Sequence, residues 1–323
     1  MSMLKSWWQI LVLCLILVVL KVFFPPAFAM EIAIFSIYAM GANILMGYLG
    51  KVSFGQPVYL AFGAYGTALY LYYMGTNPLV GVGVGLLAGL LMSIAIGPIL
   101  MRLDSGYFAL SNLALMVIGY FIFQKALVDY TFGDDGLWFL SKMDSTPIMD
   151  LTTIDGVFMF LLTMVLVVHI VAKYLLQDSV LGSTFLAIKT NETKLRFLGY
   201  NTFNIKWLGF IIANTITALA GSLYSLYFGF VSPDIMASAK AVDPVLVTLL
   251  GGIGSLFGPI VGSFVYVGLK DMAGGAVEYW ELAVGIILIV VVLQGETGIM
   301  GMLNSLLSRV RGKQVEERGM GIS

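Results

Sequence analysis

The stretch LVGVGVGLLAGLLMSIAIGPILM, residues 79–101, holds no charged side chain across 23 positions. Wound as an α-helix at 1.5 Å per residue it is about 34 Å long, enough to cross a hydrocarbon core of roughly 30 Å. Its apolar residues are continuous rather than alternating, so a helix with an internally satisfied backbone is expected and a barrel strand is not. Gly81, Gly83, Gly85 and Gly89 offer small surfaces for close helix approach, a packing feature rather than a chemical one.

The same reading extends to both sides. Runs near residues 7–24, 28–48, 57–74, 107–128, 154–174 and 207–229 repeat the pattern. The chain of 323 residues is 59% hydrophobic and 11% charged, against about 25% charged in soluble domains. The expected class is all-α, a polytopic helical membrane bundle. From Pro244 to Gly301 the apolar run is interrupted by Gly251-Gly252-Ile253-Gly254-Ser255-Leu256-Phe257-Gly258-Pro259. Treating this break as a cytoplasmic turn gives about ten transmembrane helices with both termini cytoplasmic. Lys51, Arg102, Lys189, Lys194, Arg196, Lys206 and the basic tail then gather inside, as short cytoplasmic loops require. The acidic stretch from Asp129 to Asp155 falls outside. A single transmembrane domain over residues 1–310 is expected, with a cytoplasmic loop at 177–205 and a cytoplasmic tail at 311–323. The run from Trp7 to Phe24 is longer than a signal-peptide core, so it reads as a retained first span.

A net charge of -1 gives no basic field for nucleic acid. The single Cys14 excludes a disulfide framework or a cysteine metal cluster. His169 is the lone histidine and lacks neighbouring ligands, so no metal is expected. The spans carry hardly any Asp or Glu away from their ends, which argues against a proton-coupled secondary transporter or a channel.

Residues 181–201, LGSTFLAIKTNETKLRFLGYN, read as two short helices. Ser183 and Thr184 are candidate caps, Leu195 and Leu198 lie at i and i+3 on the second helix, and Gly199 suits its end. Phe185, Ala187 and Ile188 would be exposed on a helix that protrudes from the membrane, calling for a cytoplasmic partner or for folding back on the bundle. At Ser53-Phe54-Gly55-Gln56-Pro57 an irregular turn either lines a path or gate or merely ends a helix. Asn43, Asn112 and Asn214 are polar groups within spans, candidates for that path or for hydrogen bonds between helices.

Several linked stretches carry a family resemblance. Residues 181–201, Ala220-Gly221-Ser222-Leu223-Tyr224, Val231-Ser232-Pro233 and Gly251 to Gly262 resemble the permeases of branched-chain amino acid and urea ABC importers, particularly the LivM type. Gly47-Tyr48-Leu49-Gly50-Lys51-Val52-Ser53-Phe54-Gly55-Gln56, Phe62-Gly63-Ala64-Tyr65 and Gly106-Tyr107-Phe108-Ala109-Leu110 match in order and spacing. The resemblance runs from about Asn43 to Gly301. It implies a ten-span bundle similar to cobalamin-type importer permeases in the bacterial inner membrane. A second, LivH-like permease, two cytosolic ATPase subunits and a periplasmic solute-binding protein are the implied partners. The loop then resembles the coupling element that docks on an ATPase, with Ser183 to Asn191 as its first helix. That helix includes Thr184, Phe185, Ala187, Ile188 and Lys189, and Glu192, Leu195 and Gly199 follow it. Phe108 joins Asn43, Ser53, Phe54, Gly55, Gln56 and Asn112 as candidates for the translocation path. No G-x-x-x-x-G-K-[ST] sequence is present, so ATP and Mg belong to partner chains and this subunit needs no cofactor and is not an enzyme. Ser111-Asn112 and the Phe132-Gly133-Asp134-Asp135-Gly136 turn depart from the family pattern, leaving a branched-chain amino acid and urea or a short amide both open as solutes.

The orientation is checked by labelling in a Cys14→Ala background. An impermeant thiol reagent added outside should modify Asp134→Cys and spare Lys194→Cys; the opposite pattern would reverse the topology.

Overall fold

The computed structural model describes residues 23–146, 150–274, 285 and 298–301. Most of the first apolar run and the tail at 311–323 lie outside the described residues. The helices follow the sequence runs closely. Helix α1, Pro26–Asn43, continues through a π-helical turn at Ile44–Tyr48. Helix α2, Gln56–Leu69, does the same at Tyr70–Met74. Helix α3, Pro78–Leu100, is capped by the Asn77 side chain, which accepts from the Leu79 amide at 3.0 Å. Helix α4, Ser105–Phe121, extends as a π turn to Ala126. Helix α5 spans Ile154–Leu176, α6 Val180–Phe197 and α7 Thr202–Phe228. Two further helices follow, α8 at Asp243–Gly251 and α9 at Gly258–Gly274. Pro26, Pro57, Pro78 and Pro244 each stand in a first turn, where the missing amide proton costs nothing.

Among the described residues, five helices are long and apolar enough to cross a membrane: α1 with its π turn, α3, α4 with its π turn, α5 and α7. The chain is a multi-pass helical membrane protein. Its only described strands, β1 at Leu137–Trp138 and β2 at Phe230–Val231, form a two-residue antiparallel ribbon. One end of the bundle is basic and bears α6; Lys189 Nζ there donates to the Gly47 carbonyl at 3.0 Å. The opposite end is acidic and carries the ribbon.

The break before Gly258 is a turn, as its glycines lead one to expect, but its first arm is not a span. Nine residues of α8 rise only about 13 Å, less than half of a roughly 30 Å core. The arm is a half-helix that starts inside the bundle.

Helix α7 is the hub, packing on α1, α2 and α3. The contact with α2 is backbone to backbone. A Cβ on Gly221 would overlap the Leu60 carbonyl, and one on Gly63 would overlap the Ala218 carbonyl. Ser222 Oγ crosses the seam to donate to Gly63 O at 3.1 Å. With no water to drive association, small residues and such hydrogen bonds hold the helices together. Apolar side chains of α3 and α4, including Leu87, Leu91, Leu110 and Ile118, remain exposed on the outside, as lipid contact requires.

Gly221→Val should therefore lower stability by about 3 kcal/mol, because a branched side chain forces the helices apart. Gly83→Ala, whose added methyl group meets nothing within 4 Å, should leave the unfolding midpoint in detergent unchanged. Equal midpoints for the two variants would contradict the seam.

Candidate functional site

Asn43, at the end of α1, is fully buried. Its Oδ1 accepts from the Gly254 amide at 2.7 Å and its Nδ2 donates to the Ser255 carbonyl at 2.9 Å. One carboxamide thus satisfies the turn between α8 and α9. Gly252 and Gly254 have φ of 111° and 76°, conformations that only glycine adopts without strain.

The junction between α1 and α2 is irregular and buried at Ser53, Gly55 and Gln56, while Phe54 is half-buried. Gln56 Oε1 accepts from Thr217 Oγ1 on α7 at 2.5 Å. Gly55 lies directly on the backbone of Asn112, which brings the junction against α4. Asn112 Nδ2 donates to Phe108 O at 2.9 Å within its own helix. Phe108 is buried edge-on to Phe210, with Lys51 Nζ 5.1 Å from its ring centre. Ser53 Oγ, Gln56 Nε2, Asn112 Oδ1 and both ends of the Asn214 carboxamide are buried without a hydrogen-bond partner among the described residues. Each such group costs about 1–3 kcal/mol if left dry, so this interior suits water or a polar solute better than apolar packing.

The basic-end helix α6 corrects two sequence expectations. Its cap is Ser179, whose Oγ accepts from the Gly182 amide at 3.2 Å. Ser183 and Thr184 sit inside the helix and donate to the Val180 carbonyl at 2.8 and 2.7 Å. Phe185 and Ile188 are not exposed but buried, because α6 lies back on the bundle and the Phe185 ring fills the space above Gly209 of α7. Ala187 and Leu195 are half-buried. The exposed apolar residues are instead Val180, Leu186, Phe197, Leu198 and Tyr200. The expected division into two helices occurs at Asn191, where φ is -160° and ψ 91°. Its Oδ1 caps the second helix by accepting from the Lys194 amide at 3.0 Å. Gly199, with φ of 87°, ends that helix.

Glu192 fixes the second helix to α7. Its Oε1 lies 2.6 Å from Arg196 Nη2 and 2.7 Å from Lys206 Nζ, and accepts from Thr202 Oγ1 at 3.0 Å. Partial burial alone would raise its pKa, yet the three donors outweigh it and hold the carboxyl down at about 2. His169 is buried in α5 and its Nδ1 lies 2.8 Å from Val165 O. Among the described residues, no group of three His, Cys, Asp or Glu is placed to hold a metal.

Sequence reasoning missed a cavity of about 420 Å³ in the acidic half of the bundle. Glu31, Phe35 and Tyr38 of α1 share one face of that helix and line it, with Tyr224 of α7, Asp243 of α8 and Tyr266 of α9 opposite. Leu60, Leu246, Lys240 and Lys270 complete its chemistry. Glu31 pairs with Lys270 at 3.2 Å, and Tyr266 donates to Asp243 Oδ1 at 2.8 Å. The walls are aliphatic and aromatic, with a few charges placed among them, the composition of a small-molecule site. The usable signal was Asp243-Pro244 opening a short apolar arm ahead of a glycine-rich break.

The Glu192 contacts predict a pH dependence. A folded carboxyl at about 2 against an ordinary value near 4.3 gives stability that is complete above the ordinary value and fades as pH falls toward 2. Glu192→Gln should lower the unfolding midpoint at pH 7, and the gap to the parent protein should close on acidification through that window. A gap independent of pH would remove the charged anchor.

The family described as "Branched-chain amino acid transport system / permease component" matches residues 26–293. The high-affinity branched-chain amino acid transport system permease protein LivM of Salmonella typhimurium is 25% identical over 319 residues, 88% of this chain and 72% of its own length. The permease protein LivH of the same system in that organism is 26% identical over 293 residues, 83% of this chain and 91% of its own. A probable branched-chain amino acid transport permease protein LivM of Methanocaldococcus jannaschii is 25% identical over 279 residues, covering 73% of this chain and 77% of itself. No solved structure matches. These relatives are transport subunits and not enzymes. Because the family match takes in every described helix from α1 to α9, the chain belongs to the permease components of branched-chain amino acid transport systems.

Proposed function

We propose that this permease is half of the translocation pathway of an ATP-driven importer for an amino acid with an aliphatic side chain. The observation that carries the substrate class is the cavity, whose walls of Ile34, Phe35, Leu60 and Leu246 beside Asp243 and Lys240 suit an apolar chain with a charged head. Urea would leave those walls wet. The names of the relatives, which speak of branched-chain amino acid transport, support the same reading.

LivM and LivH proteins both match over most of the chain, which supports assembly with a second, homologous permease. Two cytosolic ATPase subunits supply ATP and Mg in this reading, and a periplasmic binding protein delivers the solute. The basic end then faces the cytoplasm of a bacterial inner membrane, following the positive-inside tendency, and both termini lie on that side. A bundle of about ten helices, the half-length α8 among them, and a likeness to cobalamin-type permeases belong to the same proposal, supported by described helices that follow the apolar runs of the sequence. The ATPase docks on α6 in this account. Leu186, Phe197 and Leu198 stand exposed there, while Phe185, Ile188 and Lys189 tie α6 to the bundle.

The test is reconstitution in liposomes. Leucine should accumulate only when this chain, the second permease, both ATPases, the binding protein and ATP are all present. Accumulation by this chain alone under an ion gradient would overturn the importer reading in favour of a secondary transporter.

Leu186→Asp and Phe197→Asp should both abolish co-purification of the ATPases and cut uptake about tenfold or more, since each places a charge in an apolar contact. Phe185→Asp should instead reduce the amount of folded permease. Normal uptake in both exposed-site variants would remove α6 as the docking element.

A further inference from the structure

Among the described residues, one charge at the cavity has no direct ion pair. Glu31 is paired with Lys270 at 3.2 Å and Lys240 with Asp234 at 3.1 Å. Asp243 forms no ion pair among the described residues; its described side-chain partner is the Tyr266 hydroxyl, at 2.8 Å on Oδ1. Its carboxylate lies in the first turn of α8, where it favours the helix dipole, but it makes no capping hydrogen bond there. The half-length of α8 places this acid well inside the bundle, and an ionisable group at such depth marks function more often than support.

A second observation is independent of the first. Tyr38, one turn beyond Phe35 on the same face of α1, is 4% exposed, lines the cavity, and its hydroxyl has no hydrogen-bond partner among the described residues. Buried tyrosine hydroxyls ordinarily find a partner. An acceptor-rich carboxylate and an unused hydroxyl in one apolar cavity suit a ligand that brings several donors and a positive charge. A primary ammonium brings three donors and that charge.

We propose that the cavity binds its solute by the ammonium group, held by Asp243 Oδ2 and the Tyr38 hydroxyl. The aliphatic chain rests on Phe35, Leu60 and Leu246. The carboxylate turns toward Lys240, whose present partner Asp234 is exposed and holds it weakly. The assignment rests on the amino acid permease reading and deepens it, giving the permease its own recognition of the solute.

The test measures thermal unfolding of the purified full chain with leucine, isoamylamine, isocaproate and urea as probes. Leucine and isoamylamine, which share the ammonium and the branched chain, should raise the midpoint. Isocaproate, which lacks the ammonium, and urea should not. Asp243→Asn should weaken both responses about tenfold or more, as loss of a charged hydrogen bond does, and Asp243→Glu should restore part of them. Should Asp243→Asn fail to fold, Tyr38→Phe removes a hydroxyl that no described group uses and should still weaken both about fivefold. Equal shifts with isocaproate, or shifts unchanged in Tyr38→Phe and in folded Asp243→Asn, would overturn the site, as would the absence of any shift. Leucine uptake by the assembled importer separates the two readings. Uptake that persists with no probe response sinks the site alone, whereas an amine response without leucine uptake sinks the amino acid reading alone.

Discussion

Inside a bilayer, a backbone that leaves its helix must find every hydrogen-bond partner within the protein, and the Asn43 carboxamide meets that demand for the turn after α8. Its two bonds, to Gly254 and Ser255, allow the chain to stop, reverse and start again without water. Much follows from this. Because α8 can end there after nine residues, its other end lies within the bundle, and Asp243 opens onto a cavity instead of a headgroup layer.

The hub helix α7 joins the two halves of this arrangement. Toward the basic end its Gly209 receives Phe185 of α6, and Lys206 receives Glu192. Farther along, Thr217 meets Gln56, Gly221 meets Leu60, and Tyr224 reaches the cavity. At Gly221 and Gly63 the seam with α2 is backbone on backbone, which leaves little room for one helix to shift against the other. One continuous helix thus joins the packing site of α6 to the cavity.

The spans were legible because an apolar run long enough to cross lipid is a direct response to solvent, and residues 79–101 need no tertiary contact to be recognised. The glycine-rich break was legible for a similar reason. Its depth was not, since composition records that a chain is surrounded by apolar groups but not how far along the bundle it lies. On α6, periodicity puts Phe185 and Ile188 on one face without saying whether that face meets water or the bundle. Gly182, three residues earlier on that buried face, was the available hint. Ser179 was overlooked as a cap because Ser183 and Thr184 stood nearer the apolar residues. The cavity was out of reach for a different reason: Glu31, Leu60, Tyr224, Asp243 and Tyr266 come from five separate segments, and only the packed bundle brings them together.

The ribbon of β1 and β2 sits where the acidic end closes. Leu137 faces Val231, Trp138 faces Phe230 with ring centres 4.3 Å apart, and the Phe139 amide donates to Gly229 O at 3.1 Å. The segment just beyond β2 supplies Ile235 and Lys240 to the cavity wall. That wall is thus stitched to the loop that follows α4 by extended backbone, which has little slack. The ribbon therefore couples the loop that follows α4 to the end of α7 and to the segment that lines the cavity, so that none of the three can shift without carrying the others.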